Sequence, residues 1–185
     1  MLQKPYDQII RELEESLSLF DLNEIEKLAE LILNTEKIFV TGAGRSGLMM
    51  RCFAMRLMHM GLKTYVIGET TTPCISERDL LLIGSGSGET GSLVVYAEIA
   101  KRNRAAIGLV TIFSDSSIGK LADQVVLIPA KTCKKESSRG IHSAQPLGNL
   151  FEQSLLLLLD GLTQILMEKT NLNSAEMYKN HANLE

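Results

Sequence analysis

The sequence predicts an α/β protein in which a parallel sheet is covered by helices on both faces. Three observations carry this reading. Short apolar runs alternate with longer helix-like stretches along the chain. The runs are not broken by polar residues, as is usual for strands buried on both faces. Two glycine-serine loops also stand where a strand should hand over to a helix. One is Thr41-Gly42-Ala43-Gly44-Arg45-Ser46-Gly47, after Ile38-Phe39-Val40; the other is Gly84-Ser85-Gly86-Ser87-Gly88-Glu89-Thr90, after Leu80-Leu81-Leu82-Ile83.

Taken in order, two amphipathic helices are expected at about 5–19 and 22–33, the second opened by Asp21 as N-cap with Glu24 as its box partner. Strands are expected at 37–41, 64–67, 80–84, 106–112 and 124–128. Helices fall between them at about 46–60, 89–103 and, briefly, 116–122. A long helix follows at about 146–169, with Pro146 near its first position, where a missing N–H costs nothing. Repeated βα units of this kind give a parallel sheet with right-handed crossovers. The polar stretch Lys131–Gly140 is the one long connection. Without an internal repeat or a Pro-rich linker, residues 1–185 read as one domain.

Composition narrows the function. A chain of 185 residues that is 45% hydrophobic can bury a substantial core. A net charge of −3 argues against a nucleic-acid partner held on a basic face. Cys52, Cys74 and Cys133 are odd in number and widely spaced, which fits reduced thiols and neither a disulfide framework nor a metal site. Charges run through Met1–Glu15, and the apolar run Leu155–Leu159 is cut by Asp160. The expectation is a cytoplasmic protein with no membrane partner.

Both glycine-serine loops offer small residues, free amides and hydroxyls at a helix N-terminus, a natural site for a phosphate dianion. No Gly-Lys-Ser/Thr follows either loop, so neither is a P-loop. Gly42-x-Gly44-x-x-Gly47 has the glycine spacing of a dinucleotide fingerprint, but Arg45-Ser46 inside it and the hydroxyls of both loops point to a phosphorylated small molecule instead of a nucleotide. A phosphorylated small molecule is therefore expected beyond the carboxyl ends of the strands. Glu152 lies about two turns into the predicted long helix between Leu150-Phe151 and Leu155-Leu156, where a lone carboxylate is costly to bury. Burial there would make it a better base at neutral pH. It could equally stand on the polar side of an amphipathic helix.

The spacing of Gly42-x-Gly44-Arg45-Ser46 and of Ser85-x-Ser87-Gly88-Glu89-Thr90 resembles the sugar isomerase (SIS) domain, and within it the 6-phospho-3-hexuloisomerases. The resemblance continues through Ala54–His59, Tyr65–Pro73 with its Gly-Glu-Thr-Thr-Thr-Pro stretch, Phe151-Glu152-Gln153 and the tail His181-Ala182-Asn183-Leu184-Glu185. It implies a three-layer αβα sandwich of flavodoxin type with a five-stranded parallel sheet, flanked by N-terminal helices at 5–33 and a C-terminal helix and tail at 146–185. It further implies a homotetramer that needs no cofactor and no metal. The implied reaction interconverts 3-hexulose 6-phosphate and fructose 6-phosphate in the ribulose monophosphate route of formaldehyde fixation or detoxification.

Onto this sequence the resemblance carries Glu152 as the base of a cis-enediolate mechanism and His181 as a helper in ring opening or proton shuttling, across a subunit boundary if need be. Arg45, Ser46, Gly84, Ser85, Gly86, Ser87, Gly88, Glu89 and Thr90 become the substrate-binding set, with Ser138 and Arg139 reaching in from the long polar loop. Glu89 would repel phosphate directly, so it either steadies its helix or meets sugar hydroxyls. His59 reads as a packing residue or a partner of its helix dipole, and His142 as either a pocket or a loop residue. Two other functions stay open: an isomerase for another sugar phosphate such as arabinose 5-phosphate, and a non-catalytic sugar-phosphate sensor. Thr70-Thr71-Thr72-Pro73 favours the hexulose, and the lack of a basic helix-turn-helix before residue 37 disfavours the sensor.

Overall fold

The computed structural model describes residues 4–130, 141 and 143–184, with Pro5 described by its backbone alone. Two helices, α1 (Pro5–Ser18) and α2 (Leu22–Leu33), lead into β1 (Ile38–Gly42), α3 (Gly44–His59) and β2 (Thr64–Val66). Then come β3 (Leu80–Gly84), α4 (Gly91–Arg102), β4 (Ala106–Thr111) and β5 (Gln124–Leu127). The long α5 (Asn149–Thr170) and the short α6 (Ser174–Tyr178) follow.

All five strands lie parallel in one sheet of order β2-β1-β3-β4-β5. Their unbroken apolar character has the expected cause, because successive side chains enter opposite cores. Ile38, Val40, Leu80, Leu82 and Val110 face α2, α3 and α5, while Phe39, Leu81, Ile83, Ile107 and Leu109 face α4 with its Leu93, Ala97 and Ala100. The result is the three-layer α/β/α sandwich. From β1 the chain crosses to β2 on one side, then returns to β3 on the other and proceeds outward. Connections therefore diverge between β1 and β3, and that divergence opens a crevice at the strands' carboxyl ends.

The helical layer around α5 is deep. Leu155, Leu162 and Leu166 are fully buried, and α1, α2 and α3 all pack on this helix. By length and composition Asn149–Thr170 could cross a membrane, a longer apolar span than the run Leu155–Leu159 suggests. Here it is a core helix. Of the apolar stripe on α1, Leu13 packs against the core, as does Phe20 just beyond the helix, whereas Ile10 is exposed. The hydroxyls of Ser16 and Ser154, both fully buried, bond at 3.1 Å and join α1 to α5.

Four details depart from expectation. Residues 116–122 form successive turns rather than a helix: Ile118 N donates to Gly88 O and Ser117 N to Glu89 Oε1, and these tertiary bonds take the segment out of helical register. Asp21 does cap α2 through Asn23 N, but Glu24 closes no box; its Oε2 accepts from Leu127 N and ties α2 to β5. Pro146 precedes α5, its carbonyl accepting from Asn149 N. And α6 is an additional helix, started by a capping box between Asn173 and Glu176.

Candidate active site

The two loops sit side by side because close backbone approach holds them there. A Cβ on Gly47 would stand 2.6 Å from Gly42 O, and one on Gly42 would stand 2.9 Å from Gly84 O. Only glycines let the end of β1, the first turn of α3 and the end of β3 meet so closely. In the second loop Gly88 lies at φ +63, and a Cβ there would fall 2.1 Å from Ser116 Oγ. Ser85 is buried and its hydroxyl accepts from Gly88 N, while Ser87 Oγ accepts from Glu89 N.

These loops form one side of a cavity of about 430 Å³ lined by Ser46, Ser85, Ser87, Thr90 and Glu152 among others. Three helices begin at this cavity: α3 after Ala43, α4 after Thr90 and α5 after Gly148. None of the three has a side-chain cap; of the helices that begin elsewhere, α2 and α6 are capped by Asp21 and Asn173 and α1 is not. Uncapped helix starts leave N–H groups in need of acceptors, with the positive ends of three dipoles converging on one space. The amides of Ser87 and Thr90 bond to no other described residue. An anion rich in acceptor oxygens, such as a phosphate, satisfies this arrangement.

Glu152 lines the same cavity from the first turn of α5. It is not the lone carboxylate that the sequence suggested: Arg45 Nε donates to its Oε2 in an ion pair, with side-chain exposures of 57% for Arg45 and 16% for Glu152. The second oxygen, Oε1, has no partner among the described residues and lies toward Gly148, where a Cβ would stand 3.6 Å away. The site thus holds a carboxylate with one oxygen engaged and one without a partner among the described residues, lining the same cavity as hydroxyls and free amides. That combination suits proton abstraction next to a carbonyl on a molecule anchored by its phosphate.

Of the residues singled out in the sequence, Ser46, Gly84, Ser85, Gly86, Ser87, Thr90 and Glu152 line this cavity, and Arg45 joins them through Glu152. Gly88 is buried behind the loop, and Glu89 points away to Ser117 N at 2.8 Å, so neither forms the wall. Ser138, Arg139 and His142 lie outside the described residues. Sequence reasoning missed Ile112, Leu147, Gly148 and Phe151, which complete the wall. The Pro146-Leu147-Gly148 turn signal was the available hint, and Leu147 takes a left-handed φ of 55 that a leucine adopts only under constraint.

His181 stands apart from this cavity within the protomer. Its ring stacks on His59 at 5.2 Å and on Tyr178 at 5.6 Å, at the last turn of α3, whereas the site lies at the first turn of the same helix. These residues line a second cavity of about 430 Å³ with Arg56, Asp160 and Gln164. Burial holds the His59 imidazole below its usual range, and the neighbouring His181 and Arg56 add to the effect.

Comparison with known proteins places these features in a family. The SIS domain family model matches residues 31–160. The chain is 47% identical over 178 residues to the 3-hexulose-6-phosphate isomerase of Bacillus subtilis (strain 168), covering 96% of each chain. It is 46% identical over 166 residues to the 3-hexulose-6-phosphate isomerase of Mycobacterium gastri, covering 89% of this chain and 82% of that one. A solved structure of a hypothetical protein from Methanococcus jannaschii, described as inferring a molecular function of 3-hexulose-6-phosphate isomerase, matches with a TM-score of 0.85 at 34% identity, covering 99% of this chain and 100% of that one.

Proposed function

The chain belongs to the SIS domain family, and from that premise we propose that it is an isomerase interconverting 3-hexulose 6-phosphate (D-arabino-hex-3-ulose 6-phosphate) and fructose 6-phosphate. The observation that carries this reading is that Glu152 lines one cavity with the loop hydroxyls and uncapped helix starts. Relatives bearing that activity in their names, at 47% and 46% identity, support the choice of substrate. A sensor needs the phosphate cradle but has no use for a carboxylate with an open oxygen beside it. Residues 1–185 act as one unit, with the N-terminal helices and α5 both belonging to the sandwich that holds the site.

The chemistry follows from the geometry. The 6-phosphate occupies the helix starts, contacted by Ser46, Ser85, Ser87, Thr90 and the amides of the second loop. Glu152 removes the proton from C2; the electron pair of that C–H bond forms the C2–C3 double bond, and the C3 carbonyl oxygen takes up the negative charge. Arg45, already on Glu152 Oε2, is placed to steady that oxyanion. The resulting cis-enediolate collapses to a C2 carbonyl as Glu152 returns the proton to C3, while the O2 proton passes to O3. His181 reaches a site only from a neighbouring copy, in which position it can relay hydroxyl protons or assist ring opening. A homotetramer with shared sites fits this role. The free thiols Cys52 and Cys74 fit a reducing cytoplasm, and the reaction fits the ribulose monophosphate route of formaldehyde use.

A coupled assay tests the reading: 3-hexulose 6-phosphate is supplied and fructose 6-phosphate is followed. Turnover is expected. Folded protein that leaves the substrate untouched would overturn the enzyme reading in favour of a sensor.

A further inference from the structure

Glu12 on α1 is a buried carboxylate, 7% exposed, that lies outside the reaction just described. Its two oxygens accept four hydrogen bonds from described residues. Ser143 Oγ donates to Oε2 at 2.6 Å and Gln145 Nε2 to the same oxygen at 3.0 Å. Ala144 N donates to Oε1 at 3.0 Å, and Gln8 Nε2, one helical turn back, to Oε1 at 3.2 Å. Three of the four donors belong to 143–145, a segment with no strand or helix of its own. Ser143 Oγ in turn accepts from Gln145 N at 3.1 Å. A buried charge is costly unless its lone pairs are satisfied, so this carboxylate and this segment hold each other in place.

The segment leads straight into the catalytic wall. Only Pro146 separates it from Leu147 and Gly148, both of which line the cavity. Pro146 has a fixed φ, its carbonyl accepts from Asn149 N, and Gly148 O accepts from Glu152 N. Leu147 sits in the left-handed region, where it stays only if both flanks are fixed. A shift of 143–145 therefore bears on the first turn of α5, which carries Glu152, through only Pro146, Leu147 and Gly148. The phosphate loops hang from β1 and β3 and do not depend on this anchor.

We propose that Glu12 is a positioning residue for the reaction: by anchoring 143–145 it fixes the first turn of α5 and so aims Glu152 at the substrate carbons. This rests on the isomerase reading, in which Glu152 is the base. Its signature is a loss in turnover with little loss in phosphate-dependent binding. Burial opposes the charge of Glu12, yet the hydrogen bonds from Ser143, Ala144, Gln145 and Gln8 outweigh burial and hold its carboxyl below the usual range, which fits a carboxylate held as an anion for this purpose.

The test compares Glu12→Gln with Ser154→Ala, which cuts the Ser16–Ser154 hydrogen bond between α1 and α5 without touching the segment. Hydrogen exchange read by mass spectrometry over 143–152 needs no turnover and so tests the anchor even if the isomerase assay fails. Glu12→Gln should speed exchange there, lower kcat about tenfold and leave KM within about twofold, a placement effect of ordinary size. Ser154→Ala should lower the melting temperature and leave kcat near wild type. Unchanged exchange over 143–152 in Glu12→Gln would overturn the anchor. Normal kcat, or equal losses in kcat and affinity, would overturn the positioning role. If Glu12→Gln does not fold, Gln145→Met removes one bond from the segment's side, and the same exchange and kcat criteria apply to it.

Discussion

Arg45 and Glu152, 107 residues apart in the chain, close the candidate site by an ion pair between Nε and Oε2. The pair is lopsided: the arginine is mostly in solvent and the carboxylate mostly covered. A partner of this kind can turn toward the sugar oxygens of an arriving substrate, while the glutamate is held by its helix. The two residues therefore predict different phenotypes.

Glu152→Gln keeps the shape of the wall and removes the proposed base. Its kcat should fall by roughly 10²–10⁴-fold while affinity for fructose 6-phosphate changes little. Deuterium placed at C2 should, in wild type, appear partly at C3 and partly in solvent. Near-normal turnover by the glutamine variant would remove Glu152 from the mechanism.

Arg45→Gln removes a charge-assisted donor worth roughly 1.5–3 kcal/mol. Binding of fructose 6-phosphate should weaken about tenfold or more, measured by calorimetry. Arg45→Lys should rescue only part of this, because a lysine cannot present the planar fork. An affinity identical to wild type in Arg45→Gln would mean that the guanidinium serves Glu152 alone.

Ser87→Ala opens a gap in the wall of the phosphate cradle. The half-buried Ser87 hydroxyl already accepts from Glu89 N, and its proton is left for a ligand. Loss of that bond should weaken phosphosugar binding about 10- to 100-fold. If the affinity is untouched, the phosphate lies elsewhere.

Acid should unfold the protein in two stages. His59 is held below its usual 6.5 by burial, then by His181 and Arg56, with Tyr178 and Asp160 on the same cavity. The unfolded chain thus takes up this proton more readily than the folded one. The contribution of neutral His59 is complete above pH 6.5 and is lost as pH falls below it. Glu12 and Asp79 are both held below their usual 4.5 and 3.8: burial opposes their charge, but hydrogen bonds outweigh it, with Lys37 adding its charge at Asp79. Their contribution is complete above those values and is lost only at lower pH. Urea midpoints should therefore decline from about pH 6.5 downward and fall again below about pH 4.5. His59→Gln should flatten the first decline; a wild-type midpoint that does not change between about pH 7.5 and pH 5 would contradict the assignment.

Exposed apolar side chains predict assembly. Tyr6 and Ile10 on α1, Leu48 and Met55 on α3, and Val95 and Ile99 on α4 stand in solvent on a single chain. Light scattering at micromolar concentration should give the mass of a tetramer. A stable monomer would leave His181 without a site to serve.

How far these features could be read in advance depends on whether their causes are local. The strands of the sheet and both loops come from contiguous residues, so apolar runs and glycine spacing reveal them. The failures are cases where a distant partner decides. Residues 116–122 carry a helical pattern, but bonds to Gly88 and Glu89 override it. Glu24 fits a capping box by spacing, yet Leu127 N claims its carboxylate. The Arg45–Glu152 pair and the Glu12 anchor join positions more than a hundred residues apart, and no periodicity records such meetings. α6 is a different case: Asn173 and Glu176 carry a readable box, and the helix was missed because it is only five residues long.

The chain order of the cavity walls has a consequence for biosynthesis. The phosphate loops belong to β1 and β3, but Glu152 rides on α5, which leaves the ribosome after the whole sheet. A nascent chain that ends at β5 carries the residues of both loops but neither Glu152 nor the third helix start of the cavity. α5 then docks against α1, α2 and α3, contacts of long sequence separation that form slowly. Activity thus appears only when the last long helix seats, and during refolding its recovery should lag behind the return of helical circular dichroism.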